Sequence, residues 1–190
     1  MHAPVKCALV AMSALTALVS AGAAARADDE THFMLSGGLL VPTVLQVDGE
    51  FVAADPGPLF LISFDRHLSE DSALDWGGFL DVGSFSAGDS DEQVNLMQLG
   101  ASLHWRRPDT WGGLLRIGGR LGYRQLFADA RAFDAVRGVA LDFSTQFVKS
   151  ISTNFTGQIE LGLLAQPIGG NSHGLVYFGP FPYLALGVVF

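Results

Sequence analysis

Hydrophobic and polar residues alternate with a period of two along much of this chain, the signature of β-strands, whose successive side chains point to opposite faces. At the end of the sequence Leu184, Leu186, Val188 and Phe190 share one parity, and Tyr183, Ala185, Gly187 and Val189 the other. Bounded by turn residues, the alternation predicts eight strands, near 32–41, 59–67, 73–84, 94–106, 111–124, 138–148, 153–164 and 175–190. The connections alternate in length. Those after the first, third, fifth and seventh segments are long, Pro42 to Pro58, Phe85 to Gln93, Gln125 to Arg137 and Ala165 to Gly174. The others, Leu68 to Ser72, Arg107 to Thr110 and Lys149 to Ser152, are short. A short helix is expected over Ala128 to Val136, and no internal repeat is present.

The two faces differ in kind. One carries Phe60 and Ile62, Leu80 and Val82, Leu99 and Leu103, Ile117 and Leu121, Leu141 and Phe143, Ile159 and Leu161, and, apart from Arg66 at a segment end, holds no charge. The other holds Asp65, Asp75, Asp81, Gln98, Ser102, His104, Arg116, Arg120, Arg124, Asp142, Gln146, Gln158 and Glu160. Parity alone does not say which face lies inside, because a soluble ligand-binding barrel would turn the apolar face inward. Height along the strands breaks the tie. At the end marked by the short connections each strand contributes an aromatic to the apolar face: Phe33, Phe64, Trp76, Trp105, Trp111, Phe147, Phe155 and Phe190. A soluble core has no reason to sort aromatics by height, whereas a membrane interface does.

Residues 1–27 read as an export signal: Lys6 is followed by an apolar stretch from Cys7 to Val19, and Ala25 and Ala27 are the small residues of a cleavage site. An uncleaved membrane helix is the rival reading, but the strongly apolar part falls short of the ~20 residues that span a bilayer. Cys7 precedes the apolar core, so a lipid-modified cysteine at the cleavage site is not expected, and residues 28–190 contain no cysteine. Without Lys6 and Arg26, nine basic residues face nineteen acidic ones, a formal charge of −10. Nucleic acid is thereby disfavoured as a partner, since no basic surface is available to displace phosphate counterions. Residues 28–190 hold no apolar run long enough for a membrane helix, so a membrane would be crossed with strands.

The expected fold is all-β, an eight-stranded antiparallel up-and-down transmembrane barrel. Eight strands enclose a space that side chains can fill, and Arg116, Arg120 and Arg124 with Asp65, Asp75, Asp81, Asp142 and Glu160 are expected to interlock there as an ionic plug. A narrow path for water or small ions is the alternative. A lipid-modifying enzyme would need a nucleophile, a base and an oriented carboxylate together. His67 and Ser69 sit at a short turn while Asp81 lies near the other end of the next segment, so these three do not form such a site. Ser102 and His104 are expected to hydrogen-bond Asp75 or Glu160, and His173 to be a solvated loop residue. The acidic run Asp89-Ser90-Asp91-Glu92 lacks the glycine and ligand spacing of a calcium loop. No catalytic residue, cofactor or metal site is predicted.

An export signal, alternating strands with unequal connections and a terminal Phe190 together resemble the small outer-membrane β-barrel proteins of Gram-negative bacteria, and the chain looks like the group of the OmpA transmembrane domain and OmpX. The resemblance covers most of residues 28–190 as a pattern rather than a diagnostic string. It implies an outer-membrane location, lipid and lipopolysaccharide as surroundings, a monomer, and Leu186, Val188 and Phe190 as the signal read by the barrel-assembly machinery. Two features depart from the group. Val188 stands where an aromatic is common, and Pro180 and Pro182 interrupt the last segment, so pairing there is expected only from Tyr183, with Gly174 to Pro182 as bulge or loop wall. No cell-wall-binding domain follows Phe190, so no cell-wall tether is expected. The resemblance implies a structural or surface-interaction role through long outer loops.

Overall fold

The computed structural model describes residues 31–69, 71–88, 92–128, 134–153 and 155–190. The expected export signal, Asp89 to Asp91 of the acidic run and the centre of the expected helix lie outside the described residues. Every regular element described is a strand: β1 Thr31–Leu40, β2 Leu45–Val47, β3 Glu50–Val52, β4 Ala54–Asp55, β5 Gly57–His67, β6 Leu74–Ala87, β7 Glu92–Thr110, β8 Gly113–Phe127, β9 Val136–Ser152, β10 Phe155–Asn171 and β11 Gly174–Val189. Strands β1, β5, β6, β7, β8, β9, β10 and β11 pair in that order, all antiparallel, and β1 pairs with β11 to close an eight-membered ring. The seam runs from Met34 opposite Val189 to Leu40 opposite Tyr183, and reciprocal backbone bonds between Phe33 and Phe190 extend it to the last residue. Thr31 and Phe190 therefore lie at the end bearing the short turns, called here the turn end.

At the opposite, loop end the strands run further than the alternation predicts. The seventh connection is not a long loop: β10 and β11 continue to a hairpin tip at Ser172 and His173. Asn171 replaces missing backbone partners there, its Oδ1 accepting from the N–H groups of His173 (2.9 Å) and Gly174 (3.1 Å). The two prolines are tolerated because their carbonyls still accept, Pro182 from Val41 N–H at 2.9 Å and Pro180 from the Thr43 hydroxyl at 2.9 Å, while ladder shifts between Leu164 and Gly170 absorb the lost donors. Pairing of the last strand thus extends beyond Tyr183, back to Gly174.

The first connection also becomes wall. Its Asp48-Gly49 pair has φ of 53° and 87° and joins β2 to β3 as a two-residue hairpin turn. Strand β2 pairs with Val176 to Phe178 of β11, and β4 pairs with Ser86 and Ala87 of β6, so the segment fills the space above the shorter β1 and β5.

Polarity inverts along the barrel axis. Over the lower part, outward residues are apolar and exposed, among them Leu99, Leu103, Ile117, Leu121, Leu161 and Leu186, while inward residues are ionic. Near the loop end β6 turns Ser84 and Ser86 outward and Phe85 and Ala87 inward, and β7 turns Gln93 and Asn95 outward and Val94 and Leu96 inward. There the inside holds a buried apolar cluster that includes Leu40, Leu45, Leu59, Phe85, Val94, Leu126, Leu164, Phe178 and Phe181. Phe181 stacks on Phe178 at 4.6 Å and meets Phe85 edge-on at 5.8 Å. One sheet thus has an ordinary water-facing exterior and apolar core at one end, and the reverse arrangement below. Truncating Leu126, fully buried in this cluster, to Ala is expected to cost about 2–5 kcal/mol, whereas Phe51→Ala, on an exposed site, should cost much less. Denaturant titration of the folded barrel, followed by tryptophan fluorescence, checks the difference.

Candidate functional site

The lower interior is organised by β8, which presents Arg116, Arg120 and Arg124 at every second inward position. Gly118 and Gly122 lie between them, where β7 approaches so closely that a Cβ would overlap the carbonyl oxygens of Leu103 and Leu99 respectively. All three arginines are buried, as are Asp65, Asp75, Asp81, Asp142 and Glu160. Burial of an ion is tolerable only where partners replace water, and the partners form three layers.

In the layer nearest the turn end, Arg116 donates to Asp65 through Nη2 at 2.7 Å, to Asp75 through Nε at 3.1 Å and to the Gln146 side chain through Nη1 at 2.8 Å. Asp65 also accepts from the Ser102 hydroxyl at 2.6 Å, and His104 Nδ1 lies 3.8 Å from it. Asp75 accepts from His67 Nδ1 at 2.6 Å, while Arg106 Nη1 lies 2.7 Å from His67 Nε2. A guanidinium can only donate, so Nε2 is the acceptor and the proton sits on Nδ1.

In the middle layer Arg120 reaches Asp81 at 3.2 Å and Asp142 at 3.7 Å, and its Nη2 donates to the Tyr183 hydroxyl at 3.0 Å. Its guanidinium lies 4.8 Å from the centre of the Phe79 ring. Glu160 is joined through neutral donors, the Tyr183 hydroxyl at 2.6 Å and Gln158 Nε2 at 3.0 Å. In the third layer Arg124 donates to Asp142 at 2.9 Å, to the Gln98 side-chain oxygen and to the Ala165 carbonyl at 2.8 Å, with the Phe178 ring 4.6 Å away. The Gln98 amide donates to Asp81 and Asp142, both at 2.7 Å, tying the last two layers together.

The eight ionic residues singled out in the sequence therefore occupy one contiguous column, with Glu160 linked through Tyr183 rather than to an arginine. Sequence reasoning missed Tyr183 and the bridging role of Gln98, although the parity of both was legible. Ser102 hydrogen-bonds Asp65, not the expected Asp75 or Glu160, because register sets Asp65, Gly77 and Ser102 in one row; His104 stands opposite Asp75 but makes no hydrogen bond to it, the Asp75 carboxylate being engaged by His67, Arg116 and Arg106. His67 lies against Asp75 and Arg106, with no nucleophile on either ring nitrogen. Among the described residues no cluster of His, Cys, Asp and Glu is arranged to hold a metal ion.

Of the aromatics at the turn end, Phe64, Trp76, Trp105, Phe155 and Phe190 are exposed on the outer surface. Phe147 is half-buried against Trp111, with ring centres 6.3 Å apart. Trp111 lies in the β7–β8 turn rather than in a strand, with φ of 50°. Phe33 differs from the rest, being only 7% exposed, with its ring 6.2 Å from that of Phe190. Leu186 and Phe190 are exposed and Val188 is half-buried at the ring's closing seam.

No protein-family model matches the sequence, and no curated protein does. Among the solved structures that share the fold are two small outer-membrane proteins. The outer membrane protein OprG from Pseudomonas aeruginosa is 12% identical, with 85% of this chain and 96% of that chain covered and a TM-score of 0.56. Neisserial surface protein A is 13% identical, with 84% and 94% covered and a TM-score of 0.59. This chain is thus an all-β, antiparallel up-and-down barrel like those of small outer-membrane proteins.

The bridging role of the Tyr183 hydroxyl is testable by a conservative change. Tyr183→Phe leaves Glu160 and Arg120 each short of a buried partner and is expected to destabilise the barrel by about 1–3 kcal/mol, while Tyr177→Phe, on the outward face, should be near neutral. Paired urea titrations give the comparison.

Proposed function

We propose that the protein is exported through a cleaved signal at residues 1–27 and resides in the bacterial outer membrane as a monomeric barrel. Its interior is closed to ions, and it acts structurally or through contacts made at its outer end. The observation that carries this reading is the inversion of polarity. Ile117, Leu121, Phe143, Leu161 and Leu186 are exposed at mid-height on neighbouring strands, a continuous apolar surface far larger than soluble monomers leave open to water. Lipid is the surroundings that such a band fits, with the ionic residues turned inward.

In that setting the turn end faces the periplasm, and Phe64, Trp76, Trp105, Trp111, Phe147, Phe155 and Phe190, with Phe33 beneath Phe190, mark the lower lipid–water interface. The loop end projects beyond the bilayer among lipopolysaccharide, where an apolar core again makes sense. Leu186, Val188 and Phe190 are the residues offered to the assembly machinery. Closure of the interior rests on the three arginine layers and the apolar cluster above them. An enzymatic role finds no support in the His67 environment, where both ring nitrogens are engaged.

Three measurements test this reading. Ile117→Arg should lower stability in bilayers by about 2–4 kcal/mol while Ser86→Arg, on the polar rim, costs little; equal stabilities would overturn the membrane assignment of the apolar face. In planar bilayers the wild type should show no steady single-channel current. Arg120→Ala, which strands buried carboxylates, should lose about 3–5 kcal/mol and become leaky. A readily conducting wild type in which this change alters only ion selectivity would establish an open channel instead. Deleting Phe190 should reduce the heat-modifiable, membrane-inserted fraction seen on unboiled gels.

A further inference from the structure

Three outward cations each stand two residues beyond an aromatic where a strand descends to the turn end: Phe64 and Arg66 on β5, Trp105 and Arg107 on β7, Phe147 and Lys149 on β9. A spacing of two places each pair on one face, and Arg66, Arg107 and Lys149 are all exposed. This placement is selective in a chain whose net charge is −8. Among the described residues the remaining cations are Arg106, Arg116, Arg120 and Arg124, which serve the interior, and Arg137 at the loop end.

Two of the three cations converge. Register sets Arg107 beside Leu115, and Leu115 beside Phe147, in one row across β7, β8 and β9. Trp111, 84% exposed in the adjoining turn, meets Phe147 edge-on. Lys149 Nζ lies 3.9 Å from where a Cβ on Gly112 would be, so the ammonium sits over the same turn. Neither Arg107 nor Lys149 has an ion-pair partner among the described residues, Asp109 of that turn included. With strands spaced about 4.8 Å apart, the two cations bracket an apolar platform on the order of 10 Å wide, the scale of one lipid headgroup.

We propose that this patch is a binding site for an anionic phospholipid of the periplasmic leaflet, an inference that rests on the membrane reading above. Arg107 supplies a planar fork and Lys149 a compact charge for the phosphate, while Leu115, Phe147 and Trp111 take the glycerol and the first part of the acyl chain. A headgroup without a cation of its own fits two adjacent positive side chains better than a zwitterionic one, whose ammonium or choline they would repel. The three aromatic-to-cation steps share one depth, where the bilayer changes from hydrocarbon to phosphate.

The test places the mature protein in nanodiscs of phosphatidylcholine with a minor fraction of phosphatidylglycerol and reads retained lipids by native mass spectrometry. Phosphatidylglycerol should be enriched over its bulk fraction about fivefold or more on the wild type, fall to near the bulk fraction in the Arg107→Gln/Lys149→Gln variant, and be unchanged in Arg137→Gln. Wild-type retention at the bulk ratio, or undiminished enrichment in the double variant, would overturn the site. Heat-modifiable migration of each sample separates the two readings. Protein that never inserts overturns the membrane assignment, whereas an inserted barrel without lipid preference overturns only this inference.

Discussion

The backbone ladder between β1 and β11 joins the first strand to the last, from Met34 opposite Val189 to Leu40 opposite Tyr183, with Phe33 and Phe190 completing it. If that seam were open in the membrane proposed for it, two rows of N–H and C=O groups would face hydrocarbon, at several kcal/mol for each group left unsatisfied. Closure removes both edges at once. The contact also spans the described chain, from the first strand to the last, and is thus the pairing of greatest sequence separation in the sheet, the kind whose loop-closure cost slows folding.

Closing eight strands leaves an interior narrow enough for side chains from opposite walls to meet. That is why Arg120 on β8 reaches Asp81 on β6, Asp142 on β9 and Tyr183 on β11. Buried ion pairs of this kind contribute little net stability compared with apolar residues of equal volume, but removing one member is costly. The ionic column therefore acts as a specification: it fits one register of the ring, and a slipped strand would turn its charges outward among Leu and Ile. Gly118 and Gly122 let β7 and β8 approach closely between the arginines.

The apolar cluster at the loop end gives the upper wall a second means of support. Strands that continue past the apolar belt resemble a soluble barrel there, with serine and glutamine outside and Phe85, Phe178 and Phe181 inside. On the function proposed here, the described part of the outer end is an apolar-cored rim that carries a projecting β10–β11 hairpin. Contacts made by that rim would be preorganised, and the lipid patch beneath Trp105 and Phe147 would fix the depth at which the rim is held.

How much of this was legible in the sequence differs from element to element. Period-two alternation was enough for the eight ring strands, because each strand has one apolar and one ionic face and the pattern is local. It also separated inward Arg116, Arg120 and Arg124 from outward Ile117 and Leu121, since side-chain parity follows from the covalent chain. The extension of β10 to Asn171 and the pairing of a proline-containing β11 were not legible. The Asn171 turn is local, but pairing through the prolines depends on Val41 and Thr43 supplying hydrogen bonds from another part of the fold. The Asp48-Gly49 hairpin carried a local signal, but its role as barrel wall required β11 to be alongside. The sequence by itself thus determined strand identity, facing and the charge inventory. Partner choice within the column, Asp65 for Ser102 and Tyr183 for Glu160, was decided only when the strands paired, because cross-strand register sets Asp65, Gly77 and Ser102 in one row and Gly162 opposite Tyr183, and the two glycines leave room for the side chains to lie over them.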